Sequence, residues 1–277
     1  MIDEQHCYAK ILEKFKNCNN MKVICIQGPS ASGKSTLSDA IRFLLRTAGK
    51  NVFVLNIDNF YRTKPKNNEY YDFDNPGTIL WDKVYEILQA FDNKEDKLNI
   101  YRYSFQNAES TGPIQIDNKK PEYLIIEGLF AHYLFADHFF DTKNVTPQKR
   151  LNEIENSFVK NTFKFNNFSV LKIALTISKD KLLDVRLKRD TQKRKKNIDL
   201  IKWQVNEQVW PATEKWIYKY EITKPDLVID NGSFNFDDLI VFKKGLIKFW
   251  KLNENYDTNF LYRSPYTIPS YKESFDI

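Results

Sequence analysis

At 277 residues, 42% hydrophobic and 28% charged, the chain has the composition of a globular protein. It suits one large α/β domain, with or without insertions, better than two full domains. No apolar run approaches the ~20 residues that cross a bilayer, which excludes a helical membrane span and predicts a soluble protein. The net charge of +6 is concentrated: residues 181–202 hold nine Lys/Arg against three Asp, so the rest of the chain is balanced, and a lone basic segment fits a local phosphate-facing element better than a broad nucleic-acid surface.

The chain opens on "MIDEQHCYAKILEKFKNC", an amphipathic helical pattern with interspersed charge and neither an apolar signal core nor a cleavage site, which points to the cytoplasm. Cys7, Cys18 and Cys25 form no CxxC pair and read as free thiols; His6, His132 and His138 fall in no HExxH arrangement and read as surface or packing residues. Next comes "KVICIQ" (22–27), a short apolar run, and directly after it "GPSASGKST". Gly28, Gly33, Lys34 and Ser35 satisfy G-x-x-x-x-G-K-[ST], with a predicted strand before and a predicted helix (34–47) after. In such a loop the glycines let backbone N–H groups curl round a phosphate, the helix N-terminus adds its positive end, the lysine supplies a mobile charge, and the Ser hydroxyl reaches Mg²⁺. Gly28, Ser30, Ala31, Ser32, Gly33, Lys34, Ser35 and Thr36 are therefore the expected nucleotide-binding residues. The loop alone names no acceptor.

A second strand, "VFVLNI" (52–57), runs into Asp58, whose carboxylate could take a proton from an attacking hydroxyl or help hold the metal. By position alone it is equally an ordinary strand-ending Asp in a turn. Residues 58–78 form a polar, aromatic loop, and a helix is expected over 79–91. The strand "YLIIEG" (123–128) ends on Glu127, a second acid at the same sheet edge and a candidate partner for Mg²⁺. Residues 140–170, rich in Asn, Lys and Phe, read as an insertion without clear period. "LKIALTI" (171–177) and "DLVID" (226–230) complete five strands that alternate with helices at 179–195, 199–209 and 236–252. The pattern predicts a doubly wound parallel sheet flanked by helices, with ligands beyond the carboxyl ends of the strands. Arg186, Arg189, Lys193 and Arg194 fall on adjoining parts of one helical face, and "KKN" then turns into the next helix, which suggests a hinged lid of about 186–204. A solvated basic helix is the other reading of that run. Residues 253–277 read as an extended tail beyond a single domain of 1–252.

Taken in order, "GPSASGKST", "DNFY", "YDFDNPGTI", "YRYSF", "IIEG", "RLKRDTQKR" with Gln204 and "WPATEKWI", and "PDLVIDNG" resemble the uridine kinase and phosphoribulokinase family of P-loop kinases, nearest to its uridine/cytidine kinases. The resemblance spans most of 21–232. It implies a P-loop NTPase-like fold with a helical lid, and ATP-dependent phosphorylation of the 5′-hydroxyl of a pyrimidine nucleoside, with ATP or GTP as donor and Mg²⁺ as cofactor. It makes Asp58 the base with Tyr61 nearby, Phe73 and Asp74 the wall of the nucleoside pocket and the partner of its ribose, and Tyr101 and Tyr103 the aromatics facing base and sugar. It also puts Arg186 at the ribose, Arg189 and Arg194 at the ATP phosphates, Lys196 in place of a further lid arginine, and Gln204 on the substrate side. Ser35, Asp58 and Glu127 form the metal side. Gln106 and Ala108 stand where the pyrimidine kinases carry a histidine and an arginine, and Gly77 replaces an acid. Those departures leave open a kinase of another small alcohol, such as a sugar phosphate or pantothenate-like acceptor, and a nucleotide-binding regulator with a decayed acceptor site. No nucleic-acid or membrane partner is expected; a homo-oligomer is compatible with the sequence.

Overall fold

The computed structural model describes residues 3–16, 18–66, 68, 71–105, 107–231 and 237–251. Its centre is a five-stranded sheet made of β1 (Met21–Gln27), β2 (Val52–Asn56), β5 (Tyr123–Gly128), β8 (Phe168–Thr176) and β9 (Leu227–Asp230), in the order β2-β5-β1-β8-β9. The pairs β2–β5, β5–β1, β1–β8 and β8–β9 are all parallel. Register aligns the carboxyl ends: Glu127 of β5 lies opposite Ile26 of β1 on one side and Asn56 of β2 on the other. This alignment gathers on one sheet edge the side chains from which the site is built.

Strands covered on both faces need apolar residues on both, hence the unbroken runs in the sequence. One face packs α1 (Glu4–Phe15), α2 (Lys34–Thr47) and α8 (Asp237–Phe249) against Ile24, Ile26, Ile125, Leu171 and Ile173. Cys7, Ile11 and Phe15 repeat every four residues, which brings them onto one side of α1 and buries all three. The other face receives α3 (Trp81–Asp92), the segment 129–140 and the fully buried Trp216, against Val23, Cys25, Leu124 and Ile126. Each fully buried Leu, Ile or Phe contributes roughly 1.5–3 kcal/mol, so each face of the sheet is a large source of stability. His132 and Cys25 belong to this packing: His132 is fully buried with Nε2 at 3.0 Å from the Cys25 carbonyl, and burial pushes its pKa down to about 3. All three cysteines are free thiols.

Several elements depart from the sequence expectation. An antiparallel hairpin, β3 (Lys97–Ser104) with β4 (Glu109–Asp117), projects between α3 and β5. Its side chains alternate weakly, because much of β4 faces solvent. The segment 140–170, which shows no clear period in sequence, packs onto the body of the fold. Its Phe158–Lys160 (β7) pairs with His138–Phe140 (β6), Tyr85 stacks on Phe163, and β8 already begins at Phe168. The helix expected to stop at 209 runs on to Ile217: after α4 (Lys179–Arg194), α5 (Ile198–Gln204) passes into π turns over Val205–Val209 and Thr213–Ile217, either side of Trp210–Ala212 (α6). Pro211 has no N–H to donate, and the widened turns carry the helix past it. A short turn of helix, Tyr220–Thr223 (α7), then leads to β9. The C-terminal tail, 253–277, lies outside the described residues.

Candidate active site

The loop after β1 is held open by backbone geometry. A Cβ on Gly28 would come within 2.7 Å of Ser32 Oγ and 2.8 Å of the Leu175 carbonyl, so only glycine lets the chain leave β1 in this direction. Gly33 sits at φ 91° and Ala31 at φ 66°, left-handed turns that curl the loop ahead of α2. Asn231, just beyond β9, donates from Nδ2 to the Ser32 carbonyl at 2.8 Å and is held in turn by Lys181 Nζ on its own carbonyl at 2.6 Å. Lys34 Nζ donates to the Pro29 carbonyl at 2.8 Å. Desolvation in the loop pushes this ammonium below its ordinary range, against the pull of Asp58 and Glu127. The Oγ of Ser32 is buried without a partner, so the loop holds a hydroxyl free for a ligand oxygen.

Across from this loop stand the acids. Asn56, the last residue of β2, accepts the Asp58 N–H on Oδ1 at 2.8 Å and donates from Nδ2 to Glu127 Oε1 at 3.0 Å, tying the two acidic positions together. Glu127 Oε2 accepts from Ser35 Oγ at 3.0 Å. Burial raises its pKa to about 7; Lys34 and the Ser35 hydrogen bond oppose that shift. Asp58 also lies above the usual carboxylate range through burial, with Lys34, Arg194, Arg189 and a hydrogen bond from Tyr61 pulling the other way. Its Oδ1 is buried and unpartnered, as is Oδ1 of Asp74, which Arg186 and Lys34 face. A hydroxyl and two carboxylates are hard oxygen donors, the set that Mg²⁺ takes alongside phosphate and water, so Ser35, Asp58 and Glu127 fit that ion.

The third wall is the helical cap. Arg186, Arg189, Arg194, Lys195 and Lys196 line the same cleft as Lys34, Asp58, Asp74 and Asn231, a cavity of about 1100 Å³. Asp190 is the buried anion among these arginines, at 2.7 Å from Arg189 Nε, 3.2 Å from Arg186 Nε and 3.6 Å from Arg194 Nε. Burial would raise its pKa, but the arginines outweigh burial and hold the carboxyl below its usual range. Gln204 Oε1 accepts from Arg186 Nη2 at 3.3 Å and from Lys196 Nζ at 3.1 Å, which fastens α5 to α4. The "KKN" turn is as expected: Lys195 at φ 51° ends α4 and Asn197 caps α5.

Residues 23–143 match the model of the Phosphoribulokinase / Uridine kinase family. Over 222 residues the chain is 26% identical to a uridine kinase of Schizosaccharomyces pombe, covering 78% of this chain and 41% of that protein. It is 26% identical over 221 residues to uridine-cytidine kinase A of Dictyostelium discoideum, covering 79% and 38%. Both comparisons, one by motif and one over most of the chain, make it similar to the phosphoribulokinase and uridine kinase family. It spans about two fifths of the length of these two relatives. In fold it is similar to a chain from Silicibacter sp. TM1040 named for a fructose transport system kinase, with a TM-score of 0.54 at 16% identity over 82% of this chain and 98% of that one.

Most of the positions expected from this family converge. Ser30, Ala31, Gly33, Lys34, Ser35, Thr36, Asp58, Tyr61, Phe73, Asp74, Arg186, Arg189, Arg194, Lys196 and Gln204 all line the one cleft. Gly28, Ser32 and Glu127 stand just behind it, shaping the loop and bonding Ser35. Tyr101 does not join them: its ring packs on Phe60 at 5.4 Å, because the strand register shifts between Ile100 and Arg102. The aromatic pair near the cleft is Tyr103 and Phe105, which pack edge-on to each other at 5.1 Å and to Tyr61 at 5.5 and 6.3 Å. Phe105 also carries Arg194 over its ring at 4.7 Å. Gln106 lies outside the described residues, while Ala108 lines the cleft beside Lys64. Gly77 has another explanation than a changed acceptor site. A Cβ there would meet Thr146 C at 2.7 Å and the Val145 carbonyl at 2.8 Å, and neighbouring Asn75 donates to the Thr146 and Lys149 carbonyls. The 141–150 segment docks on this turn, and glycine makes room for it. Sequence reasoning passed over Asn56, Lys64, Phe105, Asp190 and Asn231. Phe105 and Asn231 lie inside the quoted "YRYSF" and "PDLVIDNG" without a role being read from them, and Asp190 carried a spacing signal, four residues from both Arg186 and Arg194.

Proposed function

We propose that this chain transfers the γ-phosphoryl group of ATP, or alternatively GTP, to a hydroxyl of a small molecule, with the 5′-hydroxyl of uridine or cytidine as first acceptor. The observation that carries the reading is the unpartnered, buried Oδ1 of Asp58 facing the cleft opposite Lys34, Arg189 and Arg194. A base and a cationic cradle on two sides of one cavity are what phosphoryl transfer to an alcohol requires. The names of the relatives, uridine kinase and uridine-cytidine kinase, support the choice of acceptor.

The acceptor hydroxyl binds among Asp58, Tyr61, Phe73 and Asp74, with Asp74 and Arg186 toward the sugar. Asp58 takes the proton as the oxygen attacks phosphorus; its raised proton affinity suits that task, and the Tyr61 hydrogen bond orients it. Lys34, Arg189 and Arg194 meet the charge on the transferring phosphoryl oxygens, where the planar guanidinium can contact two at once. Mg²⁺, held by Ser35, Glu127 and Asp58, would neutralise charge on the β- and γ-phosphates. α4 and α5 cover the cleft and exclude water, the competing acceptor. No described helix is long and apolar enough to cross a membrane, and we place the enzyme in the cytoplasm, acting on a small molecule and not on nucleic acid.

A second reading within the same chemistry has its own observation. Lys64 and Lys196 line the cleft in addition to the cations around the phosphate loop, which favours an acceptor that carries a phosphate or carboxylate of its own. A panel of nucleosides, ribulose 5-phosphate and pantothenate, read by ADP release, separates the two. Asp58→Asn is expected to lower kcat by about 10²–10⁴ while nucleotide affinity stays within a few-fold; near-normal turnover would remove Asp58 from the role of base.

A further inference from the structure

We propose that Asp190 is a positioning residue that holds Arg189 by its Nε and pairs with Arg194 at longer range, so that the outer nitrogens of these two arginines stay aimed at the terminal phosphate of a bound triphosphate. The inference rests on the phosphate-site reading of the cleft and goes beyond it, because Asp190 stands behind the arginines that line the cleft.

The carboxylate has no solvent exposure, and three guanidinium groups approach it by the same atom. Oδ1 faces Arg189 Nε at 2.7 Å and Arg194 Nε at 3.6 Å, and Oδ2 faces Arg186 Nε at 3.2 Å. An arginine bound side-on through Nε keeps its far edge, the two Nη atoms, for something else. For Arg186 that something is Gln204. For Arg189 and Arg194 no protein acceptor meets the far edge among the described residues, although both side chains line the cleft. Three like charges this close would otherwise repel one another, and a single buried anion makes their convergence stable. The main chain of the same residue also ends the helix: the Asp190 carbonyl accepts from Lys195 N and from Lys196 N, the latter at 3.1 Å. Helix geometry makes the arrangement economical, since positions 186, 190 and 194 fall on one face. A lysine here would offer one compact ammonium, without the separate edges by which a guanidinium faces a carboxylate on one side and a phosphate on the other.

The experiment compares the affinities of wild type, Asp190→Asn and Asp190→Glu for ADP and for the non-hydrolysable triphosphate AMP-PNP, by calorimetry in Mg²⁺-containing buffer, with a thermal melt of each. Wild type is expected to prefer the triphosphate. In Asp190→Asn that preference should fall about tenfold, while ADP affinity stays the same or rises because a negative charge has gone. Asp190→Glu, which keeps the counter-charge and shifts the carboxylate by one methylene, should show the same collapse, and it decides the matter if Asp190→Asn does not fold. An unchanged preference, with both nucleotides bound more tightly, would mean that Asp190 is a counter-charge only, and the proposal fails. The measurement needs no acceptor. Failure of every acceptor to be phosphorylated would overturn the kinase reading and leave this comparison intact, and a wild type that binds neither nucleotide overturns both.

Discussion

Replacing Glu127 by Gln should make the metal-free protein more stable and the enzyme inactive. The carboxylate is 4% exposed and receives hydrogen bonds from Ser35 and Asn56, yet burial still raises its pKa from 4.5 to about 7. A carboxyl that binds its proton at about 7 when folded and near 4.5 when unfolded costs the folded state about 3 kcal/mol once both states are charged, at about 1.4 kcal/mol per tenfold of proton affinity. The sign follows from which state takes the proton more readily. Here it is the folded state, so the penalty is complete above pH 7, fades between 7 and 4.5, and vanishes below. Glutamine removes the charge and keeps the shape: its oxygen can face Asn56, and its NH₂ can face Ser35, whose hydroxyl accepts as well as donates. Urea unfolding in EDTA should therefore show Glu127→Gln more stable than wild type by about 2–3 kcal/mol at pH 8 and by much less at pH 5. A variant less stable than wild type at pH 8, or a gain that does not change with pH, would refute the assignment of this acid as a group held charged at the expense of folding. Turnover should fall in the same variant, because the oxygen pair that suits Mg²⁺ is gone.

Two further outcomes are expected. Lys196, lowered to about 8 mainly by burial and then by Arg186, is charged below that pH and neutral above it. The kcat/KM profile should therefore fall as pH rises through about 8, and Lys196→Arg should move that fall to higher pH; an identical profile would exclude Lys196 from anion binding. Gly77→Ala forces a Cβ to within 2.7 Å of the Thr146 backbone, which cannot swing away as a side chain would, so urea unfolding should show a loss of about 1–3 kcal/mol. Unchanged stability would mean that the 141–150 segment is not seated on this turn.

What the sequence determined by itself is whatever a short local pattern can encode. Five apolar runs, too short for helices and too uniform for one-sided strands, were legible as the buried parallel sheet, and all five lie in it. The loop at 28–36 was legible because its glycines answer a local steric demand, visible at Gly28 and Gly33. Asp58 and Glu127 were legible as strand-ending acids, and the sheet register sets them on one edge.

The tertiary structure decided what depends on residues far apart in the chain. Gly77 looked like a changed acceptor position until Val145 and Thr146 were found against it, about seventy residues on. Tyr101 looked like a ligand contact; one register shift at Ile100/Arg102 turned its ring onto Phe60 and left Tyr103 and Phe105 near the cleft. The 140–170 segment showed no period because its aromatic residues serve several surfaces at once, Phe163 on Tyr85 and Phe158 on Tyr133. Asn56 carries no motif and Asn231 enters only as a letter of "PDLVIDNG"; their roles appear because folding sets one amide on Glu127 and the other on the Ser32 carbonyl. Local sterics and burial period are written residue by residue, whereas the partner of a polar side chain is chosen only when distant strands close the same edge.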